Sequence, residues 1–271
     1  MLTLDVAIST HKREGLERAG RLLLPPRNNV RYVISVQNLD SQLLPSTLID
    51  REDVKIVVND TTGLSNNRNV AIDNCSGEVI LIADDDVIYN PKGLNDLIKV
   101  FEEQPGLDMA LLKVNMGNRK LYPHSGCKLA IPFPKNYYIS SVEIAIRRSS
   151  LNDLKFYPEL GLGSQEMHAG EEELFVISAV KRGMDCRFFN IEIGDHPHTT
   201  TGSKITPEVL QAQGFIIAAV YPYSFLPRLI LKAYRNGRLC KQKFLPSFRY
   251  LLKGAIKQKK DFSKISKSYR W

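Results

Sequence analysis

The sequence predicts an α/β fold, in which a mostly parallel central sheet is flanked by helices and followed by a basic helical extension. Short β-rich segments alternate with helical ones, which is typical of a parallel sheet. Residues 54–58 and 79–83 are almost continuously apolar, as in strands covered on both faces. Residues 228–271 carry 14 Lys or Arg and one acid, a net charge of +13, so the remainder carries −5 of the chain's +8.

The composition is that of a folded protein. A chain of 271 residues can hold one large α/β domain with an extension, and 43% apolar residues exclude global disorder. The four cysteines show no CxxC spacing, which indicates reduced thiols. We expect no signal peptide and no spanning helix, because no uncharged apolar stretch reaches about 18 residues.

The elements are predicted in chain order from apolar periodicity and turn residues. The predicted strands are 4–10, 31–38, 54–60, 78–86, 109–116, 137–148 and 184–193. The predicted helices are 17–24, 63–77 with Gly77 as its stop, 90–106, and 170–183 with Gly183 as its stop, and a domain boundary is expected near residue 205. Beyond it, 225–235 and 244–260 can each form a helix with one apolar and one basic face.

Three adjacent aspartates end the apolar strand 78–86. Ligands of open α/β sheets bind beyond the carboxyl ends of the strands, and alternation lets Asp84 and Asp86 face one site while Asp85 points away. Such carboxylates suit Mn²⁺ or Mg²⁺, with substrate phosphates completing the shell, and the cation removes the repulsion. The alternative interpretation is a solvated acidic turn.

Two segments together resemble the family 2 glycosyltransferases, which have the GT-A fold. They are GLSNNRN…IDNCSGEVILIADDDVIYNP, residues 63–91, and GLGSQEMHAGEEELF, residues 161–175. The resemblance implies that Asp86 binds the metal, that Asp84 contacts the ribose or the metal, and that Arg68 contacts the nucleotide. A guanidinium offers a planar fork to phosphate or base acceptors. Alternatively, Arg68 pairs with a surface carboxylate.

The N-terminal VAISTHKR resembles the family's opening strand and first nucleotide-contacting loop. Typical members end the second strand with two aspartates, one of which binds uracil. This chain has VQNLD and VVNDTT as candidates, so the base and its partner stay open. The residues implied in nucleotide binding are Thr10, Arg13, Gln37, Asn38, Asp60, Arg68, Asp84 and Asp85.

The resemblance also implies catalytic roles for Glu172, as the base, and for Glu171 before it. An inverting transfer needs a carboxylate that accepts the proton of the acceptor hydroxyl, and the departing diphosphate needs a cation. Alternatively, the glutamates only stabilise a helix N-terminus. In DHPHTTTGS, His196 or His198 can complete the metal shell, and His198 is preferred; both can also be plain loop residues.

The basic tail, 205–271, has the composition of an interfacial anchor on an anionic membrane surface. Alternatively, its helices form a lid whose apolar face packs on the catalytic domain. The terminal KSYRW is similar to the QxxRW motif of processive polysaccharide synthases, but Lys267 replaces the glutamine. We therefore expect transfer of a single sugar.

The sequence thus predicts a metal-dependent, inverting glycosyltransferase on the cytoplasmic face of a membrane. It would move one sugar from a nucleotide-diphosphate sugar, expected to be a UDP-sugar, to a glycan or lipid-linked acceptor of surface polysaccharide synthesis. Residues 1–204 would form the catalytic domain, with a nucleotide-sugar half, 1–106, and an acceptor half, 107–204. A sugar-nucleotide pyrophosphorylase is less consistent with AISTHKREG, which lacks a Gly-rich loop. A polyanion-binding module acting through the tail is the third alternative; no nucleic-acid partner is expected, because the body carries −5.

Overall fold

The structure is a computed structural model in which the chain divides into two compact units. It describes residues 1–40, 44–117, 121–134, 137–196, 205–240 and 243–268, without the side chains of 238–240 and 262–268. Unit 1 comprises Met1–Thr62, Asn66–Asn152 and Ala179–His198, and unit 2 comprises Gly63–Ser65, Asp153–Ser178 and Thr199–Trp271. The functional division at residue 205 stays a prediction.

Unit 1 contains the sheet. Its strands are β1 Leu4–His11, β2 Val30–Gln37, β3 Val54–Asn59, β4 Val79–Asp84, β5 Ile88–Tyr89, β6 Met109–Asn115, β7 Cys127–Lys128, β8 Ile144–Arg147 and β9 Cys186–Asp195. They are arranged in the order β3-β2-β1-β4-β8-β6-β9-β5, and β7 pairs with β9. Strands β1 to β4 are parallel, as are β6 and β9, whereas β8 runs antiparallel to both of its neighbours.

The helices follow the strands in the predicted alternation. They are α1 Lys12–Leu22, α2 Ser46–Ile49, α3 Leu64–Asp73, α4 Pro91–Glu103, α5 Glu171–Lys181, α6 Pro207–Val220, α7 Phe225–Cys240 and α8 Phe244–Ser268. The side chain of Asn90 caps α4 by accepting a hydrogen bond from the Lys92 amide at 3.0 Å. None of the described helices is both long enough and apolar enough to span a membrane.

The parallel register brings the ends of four strands to one edge of the sheet. Asp84 of β4 lies beside Ser9 of β1, and His11 at the end of β1 lies beside Gln37 of β2. Gln37 in turn lies beside Asn59 at the end of β3. Polar residues that are distant in sequence therefore meet where ligands of such sheets bind.

Several elements differ from the prediction, and helix α1 begins at Lys12 rather than at Glu17. Helix α3 ends at Asp73 rather than at Gly77, and the predicted strand 137–148 is a strand only over Ile144–Arg147, after a short 3-10 helix at Ser141–Glu143. Helix α6 was not predicted as a helix, because it is apolar on nearly every side and so shows no amphipathic period.

Gly77, which was predicted to end α3, instead allows close packing against Asp5. A Cβ at Gly77 would lie 2.8 Å from Asp5 Oδ1. Asp5 is 1% exposed, and its Oδ2 accepts hydrogen bonds from the amides of Ser76 and Gly77 at 2.6 and 2.7 Å. Its Oδ1 accepts one from Arg31 Nε at 3.0 Å. Asp5 therefore holds the turn between α3 and β4 against the start of β1.

We expect Asp5→Ala to lower the free energy of unfolding by about 3 kcal/mol, because two amides of the turn lose a charged acceptor. Urea denaturation followed by circular dichroism measures the change. The control is Asp50→Ala at an exposed position, for which we expect a change of at most about 0.5 kcal/mol. Equal effects of the two substitutions would contradict this role of Asp5.

Candidate functional site

A buried amide, that of Asn67, organises the edge where β1, β2 and β3 end. Its Oδ1 accepts hydrogen bonds from Ser35 Oγ at 2.7 Å and from Asn59 Nδ2 at 3.1 Å. Its Nδ2 donates to the backbone oxygen of Thr10 at 2.7 Å. Ser35, Asn59 and Asn67 were not predicted as site residues. Only Asn59 stands at a strand end, where a sequence signal was available, whereas Ser35 lies within β2 and Asn67 within α3.

The residues predicted to read the base lie around this network. The amide of Gln37 is buried and donates to Thr61 Oγ1 at 2.9 Å. Asn38 takes a left-handed backbone conformation, with φ of 54°, and its Nδ2 lies 2.7 Å from His11 Nε2. Asp60 is exposed just beyond β3. Their contacts to a base stay predictions.

The three aspartates of β4 and its following turn each contact a different cationic or ionisable partner. Asp84 Oδ1 lies 3.0 Å from Arg68 Nη2, Asp85 Oδ1 lies 2.7 Å from Arg18 Nη2, and Asp86 Oδ1 lies 3.2 Å from His196 Nε2. The partners come from α3, from α1 and from the residue that follows β9. Each carboxylate thus has its own partner, and these three pairings offset the mutual repulsion of the carboxylates.

Arg68 is almost completely buried, with 2% of its side chain exposed, while 28% of the Asp84 side chain is exposed. From the same Nη2 it also donates to Ser141 Oγ at 2.7 Å. Arg68 therefore pairs with a carboxylate of the candidate site, not with a surface carboxylate elsewhere. The 3-10 helix at Ser141–Glu143, read from sequence as strand, supplies this second acceptor.

Asp85 is directed toward α1. Arg18 donates to its Oδ1 from both Nε, at 3.1 Å, and Nη2, at 2.7 Å, and the Thr10 hydroxyl donates to its Oδ2. The hydrogen bond with Asp85 is the main cause that raises the pKa of Arg18. A Cβ on Gly15 would lie 2.6 Å from Asp85 Oδ2, so this approach requires a glycine. Thr10 and Asp85, both predicted to bind nucleotide, contact each other in the structure.

Asp86 is the carboxylate best suited to a cation. The His196 imidazole, 3.2 Å away, is the main cause that lowers the pKa of Asp86, against the opposing effect of burial, so that the carboxylate stays ionised in mildly acidic solution. The His196 amide donates to the backbone oxygen of Asn115 at 2.9 Å, which places the imidazole beside Asp86. His198, the preferred histidine of the sequence analysis, lies outside the described residues.

Within the described residues, no group of three or more His, Cys, Asp or Glu is arranged to hold a metal ion. Mg²⁺ and Mn²⁺ sites that act on phosphates commonly use one or two protein carboxylates and take the remaining ligands from the substrate and water. The carboxylate of Asp86 and the imidazole of His196, 3.2 Å apart, have the donor chemistry for such a partial site.

The glutamates predicted to be catalytic begin α5, in unit 2. Glu171 is buried. Its carboxylate lies against Gly161, which has a left-handed backbone conformation with φ of +97°, and a Cβ on Gly161 would be 2.9 Å from Glu171 Cδ. Gly170, with φ of +83°, makes the turn into the helix. Glu172 is partly exposed. Glu173 is exposed.

The two acidic clusters belong to different compact units: Asp84, Asp85 and Asp86 to unit 1, and Glu171, Glu172 and Glu173 to unit 2. Within unit 2, the loop before α5 is fixed to the start of α3. Ser65 Oγ donates to the backbone oxygen of Leu160 at 2.7 Å.

Comparison with known proteins gives a family and a fold. The sequence model of the family described as "Glycosyl transferase family 2" matches residues 40–175, a range that includes both acidic clusters. No curated protein matches this chain.

Solved structures of S. aureus TarS, residues 1–349, are similar in fold. The structure without ligand shares 15% identity with a TM-score of 0.61 and covers 97% of this chain and 92% of its own. The complex with UDP-GlcNAc shares 16% at 0.61, covering 99% and 92%, and the complex with UDP shares 18% at 0.60, covering 99% and 91%. At these identities the likeness shows the fold alone, and that fold is GT-A, as predicted.

We expect Arg68→Met to lower the free energy of unfolding by about 2 to 3 kcal/mol, because Asp84 and Ser141 lose a buried donor. The matched control is Arg13→Met. Arg13 is exposed and pairs with Glu17 of its own helix at 2.7 Å, an interaction expected to contribute at most about 0.5 kcal/mol. Chemical denaturation of both variants checks the difference. Similar stabilities for the two variants would show that the Arg68 pair contributes little.

Proposed function

Because this chain belongs to glycosyl transferase family 2, and is therefore a glycosyltransferase, we propose that it moves one sugar from a UDP-sugar to a hydroxyl of a glycan or lipid-linked acceptor. The observation that carries the proposal is the row of three separately paired aspartates at the carboxyl end of β4, inside the range that the family matches. The family membership argues against the pyrophosphorylase and the purely polyanion-binding alternatives.

The donor is proposed to bind along the edge where β1 to β4 end. Gln37, Asn38 and Asp60 offer amide and carboxylate groups for a base at the ends of β2 and β3, and Asp84, which Arg68 contacts, ends β4 on the other side of β1. Uridine is favoured because two of the similar structures, at low identity, are complexes of TarS with UDP-GlcNAc and UDP. The identity of the sugar is not part of the proposal.

Asp86 and His196 are proposed to hold Mn²⁺ or Mg²⁺ together with the donor's diphosphate, and Asp84 and His198 are further candidate ligands. The cation would supply charge stabilisation to the leaving diphosphate. The lowered pKa of Asp86 keeps its carboxylate available for this binding. Asp85 would not contact the cation, because its carboxylate already accepts hydrogen bonds from Arg18 and Thr10.

Glu172 is proposed as the general base. It would take the proton of the acceptor hydroxyl while that oxygen forms a bond to the anomeric carbon. The bond between that carbon and the diphosphate oxygen breaks at the same time, the electron pair leaves with UDP, and the anomeric configuration inverts. Glu171, which is buried beside Gly161, would fix the start of α5 and hence the position of Glu172.

We expect UDP to bind in the presence of Mn²⁺, and we expect Asp86→Ala to weaken that binding roughly tenfold to hundredfold, because the cation loses a carboxylate. Isothermal titration of UDP, and separately of GDP, with and without Mn²⁺ measures both the metal dependence and the base preference.

The control for this experiment is Asp96→Ala. Asp96 lies on the surface of α4 and pairs with Lys92 at 2.6 Å, so its loss should leave UDP binding unchanged. Failure of the wild-type protein to bind either nucleotide under any metal condition would reject the proposed donor site. Tight binding that Asp86→Ala leaves intact would reject the role of Asp86.

We expect Glu172→Gln to slow UDP release from a UDP-sugar by a factor of about 10² to 10⁴ while UDP binding stays unchanged, because only proton transfer is removed. The measurement is the release of UDP with water as acceptor, using UDP-GlcNAc first and then other UDP-sugars. Glu173→Gln, at the neighbouring exposed position, is the matched comparison: a loss in that variant alone would assign the base to Glu173.

A further inference from the structure

Large exposed apolar side chains are concentrated in the last helices of the chain. Among the described residues, those after position 220 that are exposed are Tyr223, Leu226, Ile230, Leu231, Tyr234, Phe244, Leu245 and Ile256. Four of them, Leu226, Ile230, Leu231 and Tyr234, lie on α7, and we name this group the α7 outer face. Between 46% and 59% of each of these four residues is exposed.

Helix α7 has a second apolar side, which is already packed. Leu229 and Ala233 are completely buried, in one cluster with Leu251 and Ala255 of α8. A helix needs one apolar stripe to fold against its own unit. Because this inner stripe supplies that packing, the α7 outer face is not needed for it.

The α7 outer face is a stripe in its own right. Leu226, Ile230 and Tyr234 are spaced four residues apart, so they lie in one row along the helix, with Leu231 beside them. A continuous exposed apolar row on a helix marks a surface that contacts another apolar phase or partner.

Exposed basic residues lie on the same two helices. On α7, Arg228 and Arg235 are three residues before and four residues after Leu231, which places both beside the outer face, and Arg249 and Lys260 are exposed on α8. Acidic residues are almost absent from this part of the sequence: 228–271 contains a single one, Asp261. The occupant that fits such a surface is both apolar and anionic, which is the chemistry of a bilayer surface with acidic headgroups. A second copy of the chain would place like charges against one another.

We propose that the α7 outer face and the exposed Arg and Lys residues of α7 and α8 dock on an anionic membrane surface, such as the cytoplasmic leaflet. The inner stripe of α7 packs within unit 2, and the outer row enters the headgroup region while the basic side chains contact lipid phosphates. The proposal is independent of the donor and the base, since it involves neither acidic cluster. It would bring the enzyme to the surface where a lipid-linked acceptor resides.

The test is co-sedimentation of the full chain with phosphatidylcholine vesicles, with and without phosphatidylglycerol. We expect binding only to the anionic vesicles, and we expect added salt to weaken it. The triple variant Leu226→Ser, Ile230→Ser, Tyr234→Ser should lose roughly tenfold or more in partitioning, since three partly exposed side chains no longer enter the apolar phase. A second variant, Arg235→Gln with Arg249→Gln and Lys260→Gln, should lose the preference for anionic vesicles.

The matched control is Ile49→Ser with Leu121→Ser, two positions outside unit 2 that are each 58% exposed. It should bind vesicles as the wild-type protein does, and circular dichroism checks that every variant keeps its helices. Absence of wild-type binding to anionic vesicles would overturn the proposal, as would undiminished binding by the triple variant. A dimer in light scattering that the triple variant abolishes would assign the α7 outer face to a second copy instead.

Discussion

The organisation of unit 1 depends on the separate pairing of three adjacent carboxylates. Asp84, Asp85 and Asp86 would repel one another strongly at the end of a buried strand. Each is paired with a side chain from a different element, so the end of β4 is tied to α1, to α3 and to the residue that follows β9. The contacts that neutralise the three carboxylates therefore both stabilise this edge of the sheet and fix the side chains of the candidate site.

The three pairs are not equivalent, and the differences suggest distinct tasks. Asp85 is held by two groups of Arg18 and by Thr10, and the required glycine at position 15 keeps this approach close, so the pair joins α1 to β4. Arg68 is buried and orders Asp84. Asp86 contacts an imidazole, which can itself ligate a divalent cation. The aspartate whose partner can bind the same cation is thus the one proposed to bind the metal.

The sequence was most informative where the signal is local. Apolar runs and turn residues predicted β1 to β4 and the start of α5, and the resemblance of residues 63–91 and 161–175 to family 2 glycosyltransferases implied the GT-A fold, because each of these patterns lies within a short segment. Ser35, Asn59 and Asn67 were missed, since their meeting depends on the parallel register of β1, β2 and β3. The partner of Asp85 was missed for the same reason: Arg18 is 67 residues away in sequence.

The same limit applies to the tail in unit 2. Its sequence allowed two interpretations, a membrane anchor and a lid packed on the catalytic domain. Helix α6 has no amphipathic period because it is buried on nearly every side, and Gly214 and Gly254 let it approach α8 closely: a Cβ on Gly214 would lie 2.8 Å from Leu251 Cα. Helix α7 packs one apolar stripe against α8, and its second apolar stripe is exposed to solvent. The packed stripe and the stripe proposed to dock on a membrane therefore lie on different sides of one helix, and composition alone could not separate them because it counts both sides together.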